Sequence, residues 1–130
     1  MIEVYTDAAS AGNPGPSSIG VHIKQGKNRF EFSEHLGVCS NHEAEFHAVI
    51  RALQYCQQHF PGEIISIRCD SQIVIQSVEK TYCKNPVYTP LLNQILALHD
   101  KFSYVFYKWI SDKENKHADR LARAELKRNQ

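Results

Sequence analysis

Hydrophobic and polar positions alternate at the head of the chain. Ile2, Val4 and Thr6 are set against Glu3, Tyr5 and Asp7, the period-two pattern of a strand over residues 2–7. Ala8–Ser18 is rich in Gly, Pro, Ser and Asn and predicts a loop or turn system. Ile19–Lys24 and Arg29–Leu36 follow as two more strands, joined by Gln25-Gly26-Lys27-Asn28, a connection suited to a hairpin. Together these predict a three-stranded antiparallel meander.

The period then lengthens. Ala48, Val49, Ala52, Leu53 and Cys56 follow helical spacing over residues 42–58, with Asn41 placed to cap the helix and Glu43 in its first turn. Ile64–Cys69 is a short, largely apolar and β-branched segment, the mark of a central strand covered on both faces. Ser71–Lys80 predicts a short helix, Leu91–Phe102 another, and Tyr104–Ile110 a fifth strand. Residues 115–127 predict a last helix, capped by Asp112 or Asn115. A meander followed by alternating β and α implies an α/β fold, a five-stranded mixed sheet with helices on both faces. No linker or repeat divides the chain, so residues 1–130 are expected to form a single domain.

Composition narrows the class without naming a partner. Hydrophobic residues make up 42% and charged residues 22%, which argues against intrinsic disorder. The formal charge is only +1, yet a local patch can hide inside a neutral total. No apolar run approaches a membrane span, so no membrane association is expected. The start of the chain lacks a basic n-region, and Cys39, Cys56, Cys69 and Cys83 form no C-x-x-C pair. Free thiols and a cytoplasmic location are the expectation.

Four carboxylates stand out. Asp7 and Asp70 each end a predicted strand, where open α/β sheets place their sites, although either alone suits a turn or a cap. Glu45 precedes Ala48, Val49, Ala52, Leu53 and Cys56 on the stripe that must face the sheet. A carboxylate there costs free energy unless it is paired or binds a cation, while Glu43 is read as a solvated first-turn charge. Asp119 lies near the start of the last helix, where acids are common for reasons of the helix dipole. If the four meet at one sheet edge, they repel and raise one another's pKa unless something positive sits among them. No cluster of Lys or Arg is evident at those positions. An all-oxygen set prefers a hard cation such as Mg²⁺ or Mn²⁺, and paired ions of that kind suit attack of water on a phosphodiester.

Five motifs carry a family resemblance from end to end of the chain. Tyr5-Thr6-Asp7, Gly12-Asn13-Pro14-Gly15-Pro16, Asn41-His42-Glu43-Ala44-Glu45-Phe46, Asp70-Ser71-Gln72 and Glu114-Asn115-Lys116-His117-Ala118-Asp119-Arg120-Leu121-Ala122 resemble type 1 ribonuclease H in order and spacing. The resemblance implies the ribonuclease H-like fold and four metal-binding catalytic acids, Asp7, Glu45, Asp70 and Asp119. It also implies Mg²⁺ or Mn²⁺ as cofactor, two ions with substrate bound. The activity implied is endonucleolytic cleavage of the RNA strand of an RNA–DNA hybrid by a monomer, leaving 5′-phosphate and 3′-hydroxyl ends. Asn13, Asn41 and Gln72 match polar groups that read 2′-hydroxyls and phosphates, and Ser40 matches a hydroxyl of the phosphate pocket. Asn13 and Asn41 also suit a turn and an N-cap.

Two departures from the family pattern have consequences. The stretch Ile110–Asn115 is short and lacks the histidine that many members carry there, which is expected to slow turnover without abolishing metal binding. Thr81–Pro90 stands where members of the family have a basic, Trp-rich protrusion, and no separate hybrid-binding domain is expected before the core. Weak, salt-sensitive substrate binding is the expectation. Arg120, Arg123, Lys127 and Arg128 on the last helix suit a solvated face and a phosphate patch equally. The alternatives are a nucleic-acid-binding module with little cleavage and a nuclease acting on double-stranded RNA.

Overall fold

The computed structural model describes all 130 residues. Ten elements follow in order: β1 (Ile2–Ser10), β2 (Gly15–Gln25), β3 (Asn28–Cys39), α1 (Asn41–His59), β4 (Ile64–Cys69), α2 (Gln72–Lys80), α3 (Thr89–His99), β5 (Tyr104–Trp109), a 3₁₀ turn (Asp112–Glu114) and α4 (Lys116–Arg128). The sheet has the order β3-β2-β1-β4-β5. β1–β3 pair antiparallel, whereas β4 runs parallel to β1, and β5 parallel to β4. The mixed sheet with helices is the architecture expected.

The boundaries differ most around the first turn. β1 runs on through Ala8-Ala9-Ser10, and β2 begins at Gly15, because Ala8 pairs with Ile19, Ala9 with Ser18 and Ser10 with Ser17. Small residues here let the ladder continue where composition predicts a loop. The hairpin after β2 is as expected, with Gln25 opposite Asn28 and Gly26 in the left-handed region that glycine tolerates.

The two faces of the sheet are covered differently. Ile2, Val4, Ile19, Val21, Ile23, Ile65 and Ile67 point to one face and are buried with α1 in a single core. α1 is buried beyond the predicted stripe, because α3 packs on its outer side and Tyr88 stacks on the fully buried Phe46 at 5.3 Å. On the other face α4 lies across β1 and β2, and its Ala118 and Ala122 are fully buried. This approach requires Gly20, since a Cβ there would collide with the Ala118 carbonyl and lie 2.7 Å from the Ala122 nitrogen.

Helix ends correct three expectations. Ser40, not Asn41, caps α1: its Oγ accepts from the Glu43 N–H at 3.2 Å, while the Glu43 carboxylate accepts from the Ser40 N–H at 3.0 Å. Glu43 is therefore a capping group rather than a merely solvated charge. Asn115 does occupy the N-cap position of α4, but its side chain is turned inward and makes no cap bond, while Asp112 opens the 3₁₀ turn. All four cysteines are free thiols, as expected, and burial pushes those of Cys56 and Cys69 up to about 12. No helix is long and apolar enough to cross a membrane.

Candidate active site

The C-terminal ends of β1 and β4 diverge after Tyr5 and Arg68, the last pair in register. Asp7 and Asp70 stand on either side of that opening, the crevice where an open sheet with parallel strands leaves room for a site. Glu45 reaches the same place from the second turn of α1. Ligand oxygens of Asp7, Glu45 and Asp70 all lie within 4.8 Å of one another.

Asp7 is the hinge of this group. Its side chain is 6% exposed and its Oδ1 accepts from the Ala8 N–H at 2.9 Å. Burial, and then the charge of Asp70, push its carboxyl up to about 8. Burial also drives Glu45 well above the ordinary carboxylate range, with the charges of Asp7 and Asp70 adding to the effect. Asp70 is raised for the same first reason, against a partly opposing backbone hydrogen bond. Three carboxyls that resist ionisation side by side form a site that gains by holding a cation. Carboxylate oxygens suit a hard divalent ion.

Asp119 approaches from α4 and adds its charge to the environment of Asp7 and of Asp70. It stands outside the tight triad and is tied to Arg123 one turn on, with Nε to Oδ1 at 2.9 Å. Where the sequence shows no cluster of Lys or Arg at the acids, the structure sets a single cation, Arg123, on Asp119. The Asp119/Arg123 spacing of four residues carried the signal.

Two open hollows flank the acids. One, of about 620 Å³, is lined by Asn41, His42, Glu45, Asp70, Gln72 and Trp109 among others. Asn41 and Gln72 open α1 and α2, so both project beside the carboxylates. Asn13 does not line this hollow, but its Oδ1 accepts from the Asn41 N–H at 3.0 Å and fixes the start of α1. Ser40 is likewise engaged in its cap. Trp109 escaped the sequence reading: it ends β5 beside Cys69, and its Nε1 donates to the Asp70 carbonyl at 3.1 Å. The second hollow, about 400 Å³, is lined by Asp7, Asp70 and Asp119 with Asp112, Lys113, Lys116 and Arg123.

Comparison with known proteins agrees with this fold. The family model described as RNase H matches residues 1–127. A putative hydrolase, EbsB, of Enterococcus faecalis is 37% identical over 129 residues, which cover 98% of this chain and 96% of that protein. The RNase H1 of the halophilic archaeon Halobacterium salinarum superposes with a TM-score of 0.91 at 27% identity, covering 98% of each chain. LC11-RNase H1, solved in complex with an RNA/DNA hybrid, superposes with a TM-score of 0.92 at 27% identity, covering 99% of each chain.

Proposed function

The chain belongs to the RNase H family and is a ribonuclease H-type endoribonuclease, and we propose that it hydrolyses the RNA strand of RNA–DNA hybrids to 5′-phosphate and 3′-hydroxyl ends. Asp7, Glu45, Asp70 and Asp119 are its catalytic, metal-holding acids in this reading. The observation that carries it is the convergence of Asp7, Glu45 and Asp70 within 4.8 Å at the end of the sheet. The donor set fits Mg²⁺ or Mn²⁺, two ions with substrate bound. Such ions, when bound, supply charge stabilisation to the attacking and leaving oxygens of a phosphodiester.

The chain's own residues do the positioning. Asp7, anchored by the Ala8 N–H, sets the centre of the site. Asp119, restrained by Arg123, brings a fourth carboxylate from the α4 side. Asn41 and Gln72 stand where a strand laid across the acids would pass, and their amides recognise 2′-hydroxyls, the group that separates RNA from DNA. Asn13 holds Asn41 in that position. The Ser40 hydroxyl, an acceptor in its cap, keeps its proton to donate to a phosphate. All four acids come from one chain, which supports a monomer as the working unit.

The test is cleavage of an end-labelled RNA–DNA hybrid with Mg²⁺ and with Mn²⁺, beside an Asp70→Asn control and parallel double-stranded RNA and DNA. Metal-dependent cutting of the hybrid RNA strand, absent in the control, is expected. Equal cutting by the control would overturn the assignment to this site. Hybrid binding without product would favour a binding module, and preferential cutting of double-stranded RNA would change the substrate class.

A further inference from the structure

α4 turns a row of cations outward. Lys116, Arg120, Arg123 and Lys127 fall at offsets of four, seven and eleven residues, the spacing of a single helical stripe. All four are exposed, while Ala118 and Ala122 on the opposite side are buried against the sheet. They line one hollow of about 530 Å³ with Asp119 and Ala124. Three features separate this row from an ordinary solvated helix face.

First, it is poorly neutralised within the protein. Arg123 is paired, with Asp119, whereas Lys116, Arg120 and Lys127 are in none of the ion pairs of the structure. The acid lower on the helix, Glu125, is directed away to Ser33 and Arg128. Second, the row is continuous with the active site. Lys116, Asp119 and Arg123 line both this hollow and the one that contains Asp7 and Asp70. Third, it has the reach for a nucleic-acid strand. From Lys116 to Lys127 the helix rises about 16 Å, the axial span of roughly four to five phosphates of one strand.

We infer that the outward stripe of α4 is a phosphate-binding rail for the substrate duplex, engaging the backbone that leaves the acidic site on the α4 side. The inference rests on the nucleic-acid reading of that site. Its occupant is the phosphate backbone of the bound duplex, chosen by charge complementarity and by continuity with the acids. The rail supplies positive charge where the shortened Thr81–Pro90 segment supplies little. It contributes affinity and no sequence choice, because exposed Lys and Arg contact phosphates rather than base edges.

The experiment compares the full chain with Arg120→Gln/Lys127→Gln, two positions that do not line the hollow holding Asp7, Asp70 and Asp119. A second double variant, Lys27→Gln/Lys101→Gln, removes the same charge from exposed sites on the β2–β3 turn and the end of α3. kcat/KM on an RNA–DNA hybrid is measured from about 50 to about 200 mM salt. The rail variant is expected to lose roughly tenfold at the low-salt end, with a logarithmic salt slope shallower by about 1.5. The control pair is expected to keep the parent slope. Identical slopes for rail variant and parent, or equal losses in both variants, would overturn the rail. A parallel titration of hybrid onto each variant in an Asp70→Asn background reads binding without turnover. If the parent cleaves nothing, the proposed reaction fails, while a changed slope in that titration still reports the rail.

Discussion

The side-chain amide of Asn115 donates to the backbone carbonyl of Thr6 at 2.8 Å, joining the start of α4 to β1 one residue before Asp7. Asn115 is 1% exposed, and its own carbonyl accepts from the Asp119 N–H at 3.1 Å. One residue thus fastens the strand that carries one acid to the helical turn that carries another. Its Oδ1 is buried without a protein partner, a cost retained beside the site rather than in an ordinary core position.

Asn115→Ala is therefore expected to do two things. It leaves the Thr6 carbonyl short of a buried donor, costing about 1–3 kcal/mol in denaturant unfolding. It also loosens Asp119 relative to Asp7, so the divalent-ion concentration for half-maximal cleavage rises several-fold. A purely structural role would lower stability and leave that metal requirement where it was.

Charge at the site sets a pH dependence of stability. Asp7 is pushed up to about 8 from an ordinary value of 3.8, chiefly by burial. Between those values the folded protein holds a proton that the unfolded chain has released. Stability in chelator therefore falls as pH rises from about 4 to about 8, and the loss is absent below that window. Melting curves in chelator should descend across this range and recover at pH near 8 when Mg²⁺ is added. Asp7→Asn should flatten the descent and raise metal-free stability at the alkaline end by about 0.5–2 kcal/mol. A flat curve for the parent in chelator would contradict this account.

Ser40 offers a separable test of the cap. Ser40→Ala removes the hydroxyl that accepts from Glu43, and Glu43→Ala removes the reciprocal group. Each is expected to cost about 1 kcal/mol of stability. Only Ser40→Ala should also raise KM for the hybrid, because only that residue is proposed to donate to a phosphate. Equal KM values for both variants would leave Ser40 as a cap alone.

The sequence carried the sheet and the acids through different signals. The isoleucines at 64, 65 and 67 placed β4 at Ile64–Cys69 and put Asp70 immediately beyond it, because a central strand is rich in β-branched residues. The same reasoning lost Ala8–Ser10, whose small residues pair in the ladder without any apolar alternation. Glu45 was legible as a misplaced charge on an apolar stripe, but the width of α1 burial was not, since α3 packs on it from a distant part of the chain. Asn115 lay in the last motif, but neither its role nor that of Trp109 could be found by pattern. Their roles are single hydrogen bonds to backbone carbonyls at sequence separations of 39 and 109, visible only after the chain is folded.

Gly20 tests whether the seating of α4 matters to the acids. It faces α4 from β2, paired with Asp7 across the ladder. An added Cβ would lie 2.7 Å from the Ala122 nitrogen and 2.8 Å from the Leu121 Cβ, besides its collision with the Ala118 carbonyl. Two of those neighbours are helix backbone, so no rotamer change relieves them and α4 must lift as a body. Gly20→Ala is expected to cost about 1–3 kcal/mol or more. Because Asp119 rides on the same helix, cleavage should fall further than the folded fraction does. Measured at a temperature where circular dichroism shows the variant fully folded, kcat/KM should still be reduced at least tenfold. Full activity of the folded variant would show that Asp119 tolerates displacement of α4 from the sheet.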